Sequence, residues 1–412
     1  MNKLERLISE LCPDGVEFVP LWSVTIWDKK FNSVDRKKQP VVYNYPYLLA
    51  TDLFALEKDG GDVFLLSTGE QVGWTTEELA GSNMREGEVV TMPWGKSRAV
   101  TDCVKYYKGK FVTADNRIMT SSDTERLLNK YLYYWFMSVG KEVDTFYRGS
   151  GIKHPDMAKV LDLRIPIPPI EVQDEIVKVL DHFTELTAEL TAELTAELIA
   201  RQKQYEYYRH NLLSGIGEKK SLKSISKKTC SGGTPLKINN AYYENGTIPW
   251  LRTQEVVFNE INKTECFVTE LAVKETSVKW IPANCVIVAI SGASAGRCAI
   301  NKIPLTTNQH CLNIEVDPSI ALYRYVFHCI CAQYEELISK KEGARGDLNA
   351  ARILSLEIPI PTIEEQNRIV EILDHFDAIC TNLQNGLPAE ITARQKQYEY
   401  YRNKLLTFKE AC

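Results

Sequence analysis

At 412 residues the chain has room for two or three domains, and 44% hydrophobic with 25% charged residues is the balance of a folded soluble protein, which excludes a disordered or fibrous one. No apolar run approaches the roughly 20 residues of a membrane span. Residues 1–14 carry charges in place of a signal-peptide core, so a cytoplasmic protein is expected. A net charge of −5 excludes a uniformly basic coat but hides local sign, and eleven cysteines without a CxxC pair suit reduced thiols better than a disulfide framework or a metal site.

In chain order, residues 1–10 read as a short amphipathic helix (Leu4, Leu7, Ile8, with Leu11 just beyond) stopped by Pro13-Asp14-Gly15. Residues 16–156 then run as short β-type segments such as VVYNYPYLLATDL, DVFLLST and CVKYYKGKFVTA, closed by a helix predicted over 124–136. A long helical stretch follows, then a link at Ser214-Gly215-Ile216-Gly217, a second mixed α/β segment from about 222 to 349, and a final helical stretch. The expected division is a globular domain at 1–156, a helical spacer at 157–217, a second globular domain at 218–350 and a second spacer at 351–412.

The helical stretches are copies of one another. Residues 165–183 read IPIPPIEVQDEIVKVLDHF and residues 358–376 read IPIPTIEEQNRIVEILDHF, while ARQKQYEYYR occurs at 200–209 and again, unchanged, at 393–402. Both landmarks are displaced by 193 residues (358 − 165 and 402 − 209), so the copies have equal length. Such a duplication organises the fold. The first copy holds a tandem Thr-Ala-Glu-Leu ending at Leu190, Leu194 and Leu198, strong helix formers with an apolar stripe that winds slowly and suits a partner helix. The second copy departs from the tandem, and Gly386 and Pro388 are expected to kink or break it.

The globular segments are weakly alike: 45–53 (YPYLLATDL) aligns with 248–256 (IPWLRTQEV), and Gly149-Ser150-Gly151 with Gly343-Ala344-Arg345-Gly346. The fold class expected is therefore α+β, two mixed α/β domains joined by two long helices that pair as an antiparallel coiled coil, with a pseudo-two-fold internal repeat.

The order of parts, the IPIP(P/T)IExQ entry, the LDHF turn, the ARQKQYEYYRxxLL exit and the Thr-Ala-Glu-Leu tandem together resemble the specificity subunits of Type I restriction-modification systems over essentially the whole chain. The resemblance implies two target-recognition domains, each reading one half of a bipartite double-stranded DNA sequence, with the paired helices as a ruler. It implies two modification (methyltransferase) subunits and restriction (motor and nuclease) subunits as partners. It also implies no catalysis and no cofactor on this chain, S-adenosylmethionine, ATP and Mg being expected in the partner subunits.

The residues agree with a non-catalytic reading. No (D/N)PP(Y/F) methyltransferase motif occurs, and residues 291–297 (SGASAGR) lack the Lys-Ser/Thr of a phosphate loop, so a small-residue turn is expected there. The six histidines show no metal spacing, and His182 and His375 recur at one repeat position, which favours helix packing. DNA contact calls for Lys, Arg and amide side chains. The candidates are Lys96, Arg98, Asn116, Arg117, Arg148 and Lys153 in the first domain, and Arg252, Gln254, Arg297, Asn308, Gln309, Lys341 and Arg345 in the second; each also fits a solvated charge or a structural hydrogen bond. Trp94 and Trp250 read as core. Tyr205, Tyr208, Arg209, Tyr398, Tyr401 and Arg402 are candidates for seating the modification subunits, or for capping the helix bundle. A coiled-coil scaffold that binds proteins through its globular domains is the alternative function.

Overall fold

The computed structural model describes residues 3–215, 217–339, 348–381 and 386–411. Two compact units are present, Met1–Ala192 with Thr392–Cys412, and Glu193–Ile391. Each thus combines a globular domain with part of its own repeat helix and part of the other one.

The first unit carries helix α1 (Lys3–Leu11), strands β1 (Glu17–Pro20), β2 (Thr25–Trp27), β3 (Val63–Leu66), β4 (Trp74–Thr75), β5 (Arg85–Pro93), β6 (Tyr106–Thr113) and β7 (Asn116–Ser121), helix α2 (Asn129–Ser138), the hairpin β8 (Tyr147–Arg148) and β9 (His154–Pro155), and β10 (Arg164–Ile167). Helix α3 (Ile170–Leu213) starts here and ends in the second unit. Strands β2 to β7 form a six-stranded sheet in the order β2-β7-β5-β6-β3-β4. β3 is four apolar residues, all buried, as a strand covered on both faces requires. Helix α2 begins at Asn129, later than the sequence suggests: the Asp123 side chain and carbonyl hold 123–127 in a turn, and Gln173 takes the Leu128 N–H that a longer helix would use.

The second unit carries β11 (Glu218–Ser221), β12 (Ser226–Ser231), β13 (Ile248–Leu251), β14 (Asn259–Ile261), β15 (Cys266–Val268), β16 (Trp280–Ile281), β17 (Val286–Ala289), β18 (Cys298–Asn301), β19 (Leu305–Thr307), β20 (Cys311–Val316) and β21 (Glu357–Ile360), with helices α4 (Tyr323–Ala332) and α5 (Ile363–Thr381). Its sheets run β12-β20-β17-β18-β14 and β15-β13-β19-β16. The last helix, α6 (Leu387–Leu405), follows α5 as a separate helix, so the interruption falls where Gly386 and Pro388 were expected to place it; of the departing tetrapeptides, residues 382–385 lie outside the described ones. Pro388 sits in the first turn of α6, where a missing N–H costs no helical bond.

The repeat motif has the same structural job in both units. Ile165 in β10 and Ile358 in β21 are fully buried, and both strands pair antiparallel with the strand that opens their domain (Val19↔Ile165, Lys220↔Ile358). The prolines then end the strand. The Gln of IExQ, fully buried, ties the helix to the globular domain. Gln173 accepts from the Leu128 N–H at 2.9 Å and donates to the Arg126 and Pro168 carbonyls, each at 2.8 Å. Gln366 accepts from Leu322 at 2.8 Å and donates to Ile320 and Pro361 at 3.2 and 2.9 Å. Tyr131 and Tyr325 add matched bonds to the Pro166 and Pro359 carbonyls.

The Asp of LDHF works the same way with different partners. Asp181 accepts from Lys130 and Tyr134, whereas Asp374 accepts from Arg324 and from the buried His328 at 2.7 Å. Burial works against the Asp374 charge, but these two bonds outweigh it and hold its carboxyl below the usual range. His182 and His375, expected to pack between helices, are instead exposed. The packing is aromatic: within the first unit Phe183 meets Tyr401 at 6.3 Å and Thr184 bonds the Tyr398 hydroxyl at 2.9 Å, and within the second Phe376 meets Tyr205 and Tyr208. In each unit the start of one repeat thus packs on the end of the other, with antiparallel pairing.

Candidate nucleic-acid interface

In the first unit the expected residues divide by burial. β7 begins with Asn116 and Arg117, both inside. Asn116 donates to the Leu66 carbonyl at 2.9 Å and accepts from Thr68. Arg117 bonds Asp115 at 3.1 Å, lies 3.8 Å from the buried Asp28 and stacks 4.1 Å over the half-buried Trp94. Lys96 is also turned inward: it is ion-paired with Asp144, lies 4.5 Å over the Tyr147 ring, and burial lowers its pKa. Arg98 pairs with Glu70 and is half exposed. Arg148 and Lys153 are exposed, on and beside the β8-β9 hairpin that rests on Trp94 through His154. The physical reason for the split is distance in sequence: Asp28 and Asp144 reach their cations from segments that no local pattern connects to them.

In the second unit, the short helix Thr253–Glu255 follows β13, and Arg252 just before it is tied to Glu265 at 2.7 Å and lies near Glu255. Gln254 beside it is exposed. Residues 291–296 form the expected turn between β17 and β18, with Arg297 half-buried at its end. Asn308 is buried and its side chain accepts from the His310 N–H at 3.1 Å, while Gln309 is exposed. Lys341 and Arg345 lie outside the described residues, as does 343–346, the counterpart of Gly149-Ser150-Gly151. The weak alignment of the two domains has a structural basis. Leu48 bridges Ala114 in parallel, as Leu251 pairs with Thr307, and a short helix follows at once in both (Ala50–Phe54 and Thr253–Glu255). Trp250 is core, as expected, donating to the Gly233 carbonyl at 3.0 Å.

Of the aromatic and basic residues at the repeat ends, Arg402 is buried against Tyr398, Arg209 lies over Tyr205, and burial raises the Tyr205 hydroxyl pKa. Tyr401 lines a cavity of about 720 Å³ in the first unit with Leu4, Ile8, Val179 and Phe183. Sequence reasoning passed over their neighbours Tyr207 and Tyr400, equivalent under the 193-residue displacement, which are 66% and 62% exposed. It also passed over Lys30, Arg36 and Lys37, exposed on the loop after β2; the run DRKK at 35–38 was the available signal. Among the described residues no group of His, Cys, Asp and Glu could hold a metal ion, and no helix is long and apolar enough to cross a membrane.

A family model described as the Type I restriction modification DNA specificity domain matches the chain twice, at residues 41–200 and 217–393. The specificity subunit of the Type I restriction enzyme EcoR124I/EcoR124II of Escherichia coli is 38% identical over 99% of this chain and 97% of its own length. A putative Type I restriction enzyme specificity subunit of Haemophilus influenzae is 32% identical over 78% of this chain and 83% of its own. Among solved structures, a chain from a Type I restriction-modification system studied for complex assembly and conformational transition superposes with a TM-score of 0.64 at 15% identity, covering 96% of this chain and 98% of that one. The HsdS subunit of Thermoanaerobacter tengcongensis superposes at 0.52 with 14% identity, covering 96% of each chain.

Proposed function

The chain belongs to the Type I restriction-modification DNA specificity family, and from that premise we propose that it reads a bipartite double-stranded DNA target and positions the subunits that act on it. The observation that carries this reading is the doubling itself. Each globular domain is fastened to its repeat helix by the same buried Gln and the same antiparallel strand pair, although the sheets they fasten differ. A helical frame that repeats strictly while its attached domains diverge suits two half-sites of different sequence. Residues 1–156 and 218–350 are the recognition domains, and 157–217 and 351–412 the helical spacers.

Methyl transfer and cleavage belong to partners: two modification subunits, which bring S-adenosylmethionine, and restriction subunits, which bring ATP and Mg. On this chain Arg98, Arg148, Lys153, Gln254, Arg297 and Gln309 are the residues with side chains reaching solvent for DNA, joined by the loop cations Lys30, Arg36 and Lys37. Lys96, Asn116, Arg117, Arg252 and Asn308 act one step behind, holding the strands and turns that present them. Arg to guanine and amide to adenine give sequence, and phosphate contacts give register. Tyr207 and Tyr400, too exposed to be explained by packing within the chain, anchor the modification subunits, with Tyr208, Arg209 and Tyr401 beside them.

The test is co-expression with the cognate modification subunits and mapping of methylated adenines across the host genome. A single motif of two short half-sites around a fixed gap is expected. A stable complex that leaves no such motif would overturn the reading.

A further inference from the structure

In the second unit, the loop at 232–240 that leaves β12 is built as a rigid stem with a protruding apolar tip. Gly233 donates to the Thr307 carbonyl at 2.9 Å and accepts from the Trp250 indole at 3.0 Å, and Tyr243 donates to the Pro235 carbonyl at 2.6 Å. Gly232 and Gly233 lie so close to the backbone at Thr307 and Ser277 that a Cβ on either would collide. Beyond this stem the chain turns (Asn239 N–H to the Leu236 carbonyl, 3.0 Å) and leaves Leu236 70% and Ile238 92% exposed, on either side of the exposed Lys237. Exposed single apolar residues are ordinary, but two at the tip of a seated loop mark a surface held ready for a partner.

Two observations say what kind of partner. Residues 219–243 contain six lysines and no carboxylate, in a chain whose net charge is −5. Lys220 and Lys227 pair with Glu218 and Glu315, which leaves Lys219, Lys223, Lys228 and Lys237 without a carboxylate partner among the described residues, a local positive excess that suits a polyanion. The equivalent loop of the first unit points the same way. β2 and β12 are matched strands, each following a matched opening strand and each pairing antiparallel with its sheet neighbour, β7 or β20; the loop after β2 carries Lys30, Arg36 and Lys37 exposed.

Resting on the DNA-recognition reading above, we propose that loop 232–240 is the base-reading finger of the second recognition domain, with Leu236 and Ile238 against thymine methyl groups in the major groove and Lys237 on a neighbouring phosphate. The major groove is the place where a methyl group distinguishes an A·T pair and where an apolar side chain can read it. A preorganised stem is what such contact needs, since a tip that had to order on binding would lose its affinity to that ordering.

The experiment uses the complex of the full chain with its modification subunits and duplexes carrying the mapped motif, with thymines of the second half-site replaced by deoxyuridine in turn. At one or more positions the wild-type complex should lose about tenfold in affinity when the methyl is removed, the range of a single lost base contact. L236S/I238S should bind the thymine duplex about as weakly as wild type binds the deoxyuridine one, and should be indifferent to the replacement. Its mapped motif should relax in the second half-site only. K237Q should instead lower the salt slope of log affinity by about 0.9 without changing the motif. Both tip residues being exposed, the melting temperature of the variants should match wild type, so a folding defect is distinguishable. Wild-type affinity and motif in L236S/I238S would overturn the proposal, as would loss of modification-subunit binding in place of DNA binding, which would make the tip a protein contact. Failure of the wild-type complex to modify any bipartite motif would instead overturn the reading on which it rests.

Discussion

The ring of Phe376 stacks on that of Tyr208 at 5.3 Å and 25°, with Tyr205 on it at 6.4 Å, and the pair equivalent under the 193-residue displacement, Phe183 and Tyr401, meets at 6.3 Å and 55°, with Tyr398 bonding Thr184 in place of a second ring contact. The LDHF and QKQYEYYR motifs recur because each supplies the other's partner in an antiparallel pair. Aromatic contacts add about 0.5–1.5 kcal/mol beyond the area they bury. Phe376→Ala, at a half-buried ring, should therefore cost the second unit about 2 kcal/mol and lower its melting temperature by about 4–8 °C, read by calorimetry. Phe376→Tyr should keep most of it. An unchanged transition in the alanine variant would show that the stack contributes nothing.

Gln173 and Gln366, themselves fully buried, each satisfy one N–H and two carbonyls, the Pro168 and Pro361 carbonyls buried and the other groups half-buried. Gln173→Leu fills the space but strands all three groups, a loss of about 2–4 kcal/mol, since an unmet buried polar group costs more than the bond itself is worth. Amide exchange should report it locally: the Leu128 N–H loses protection in the first unit while the matching Leu322 N–H in the second does not. Equal protection in both would rule out the clamp.

The frame was legible in the sequence because it is repeated and local. A proline after each Ile of IPIP, Gln three residues into a helix, and four-residue leucine spacing all state their geometry within a few positions. The candidate site was legible only in part. Arg117 and Lys96 read as surface cations because part of what encloses them comes from far along the chain: the buried Asp28 beside Arg117, which also bonds the neighbouring Asp115, and Asp144 paired with Lys96 lie 89 and 48 residues away (117 − 28 and 144 − 96). Tyr207 was hidden for the opposite reason: within KQYEYYR only the helix's packing tells which tyrosine faces inward.

Burial pushes the Asp28 carboxyl from its ordinary 3.8 up to about 6, against the opposing pull of the Ile118 N–H and of Arg117. The folded state thus holds a proton that the unfolded state has released between these values. Stability falls as pH rises through that window, and the loss is fully present above it. Asp28→Asn keeps an acceptor for the Ile118 N–H, and Arg117 keeps Asp115 at 3.1 Å. The variant should gain roughly 1–3 kcal/mol at pH 7.5 and show a flatter dependence of melting temperature between pH 4 and 6. A variant with the wild-type slope would mean that Asp28 is not the group responsible.

Tyr207 and Tyr400 separate assembly from folding. With both rings more than half exposed, Tyr207→Ala with Tyr400→Ala should leave the melting temperature unchanged and weaken capture of the modification subunits by about 2 kcal/mol, roughly 30-fold, as loss of an interface anchor does. Tyr205→Ala, whose ring packs on Phe376, should do the reverse. If the double variant assembles normally, the exposed tyrosines have some other use.

Helix α3 runs through the Thr-Ala-Glu-Leu tandem unbroken, with Leu190, Leu194 and Leu198 half-buried, so removing one tetrapeptide shortens a continuous helix and leaves its stripe in phase with itself. Four residues of helix are worth about 6 Å of length and about 40° of rotation. One base pair of DNA is worth about 3.4 Å and about 35° at 10–10.5 base pairs per turn. Length alone would call for nearly two base pairs, rotation for one. A recognition domain that fails to face its groove loses every base contact, whereas a mismatch in length is spread along the helix and the duplex, so rotation should decide. Deleting residues 191–194 should shorten the preferred spacer by one base pair and leave both half-sites as they were, which methylation mapping reads directly. A change in either half-site would show that the tandem takes part in reading sequence as well as in measuring distance.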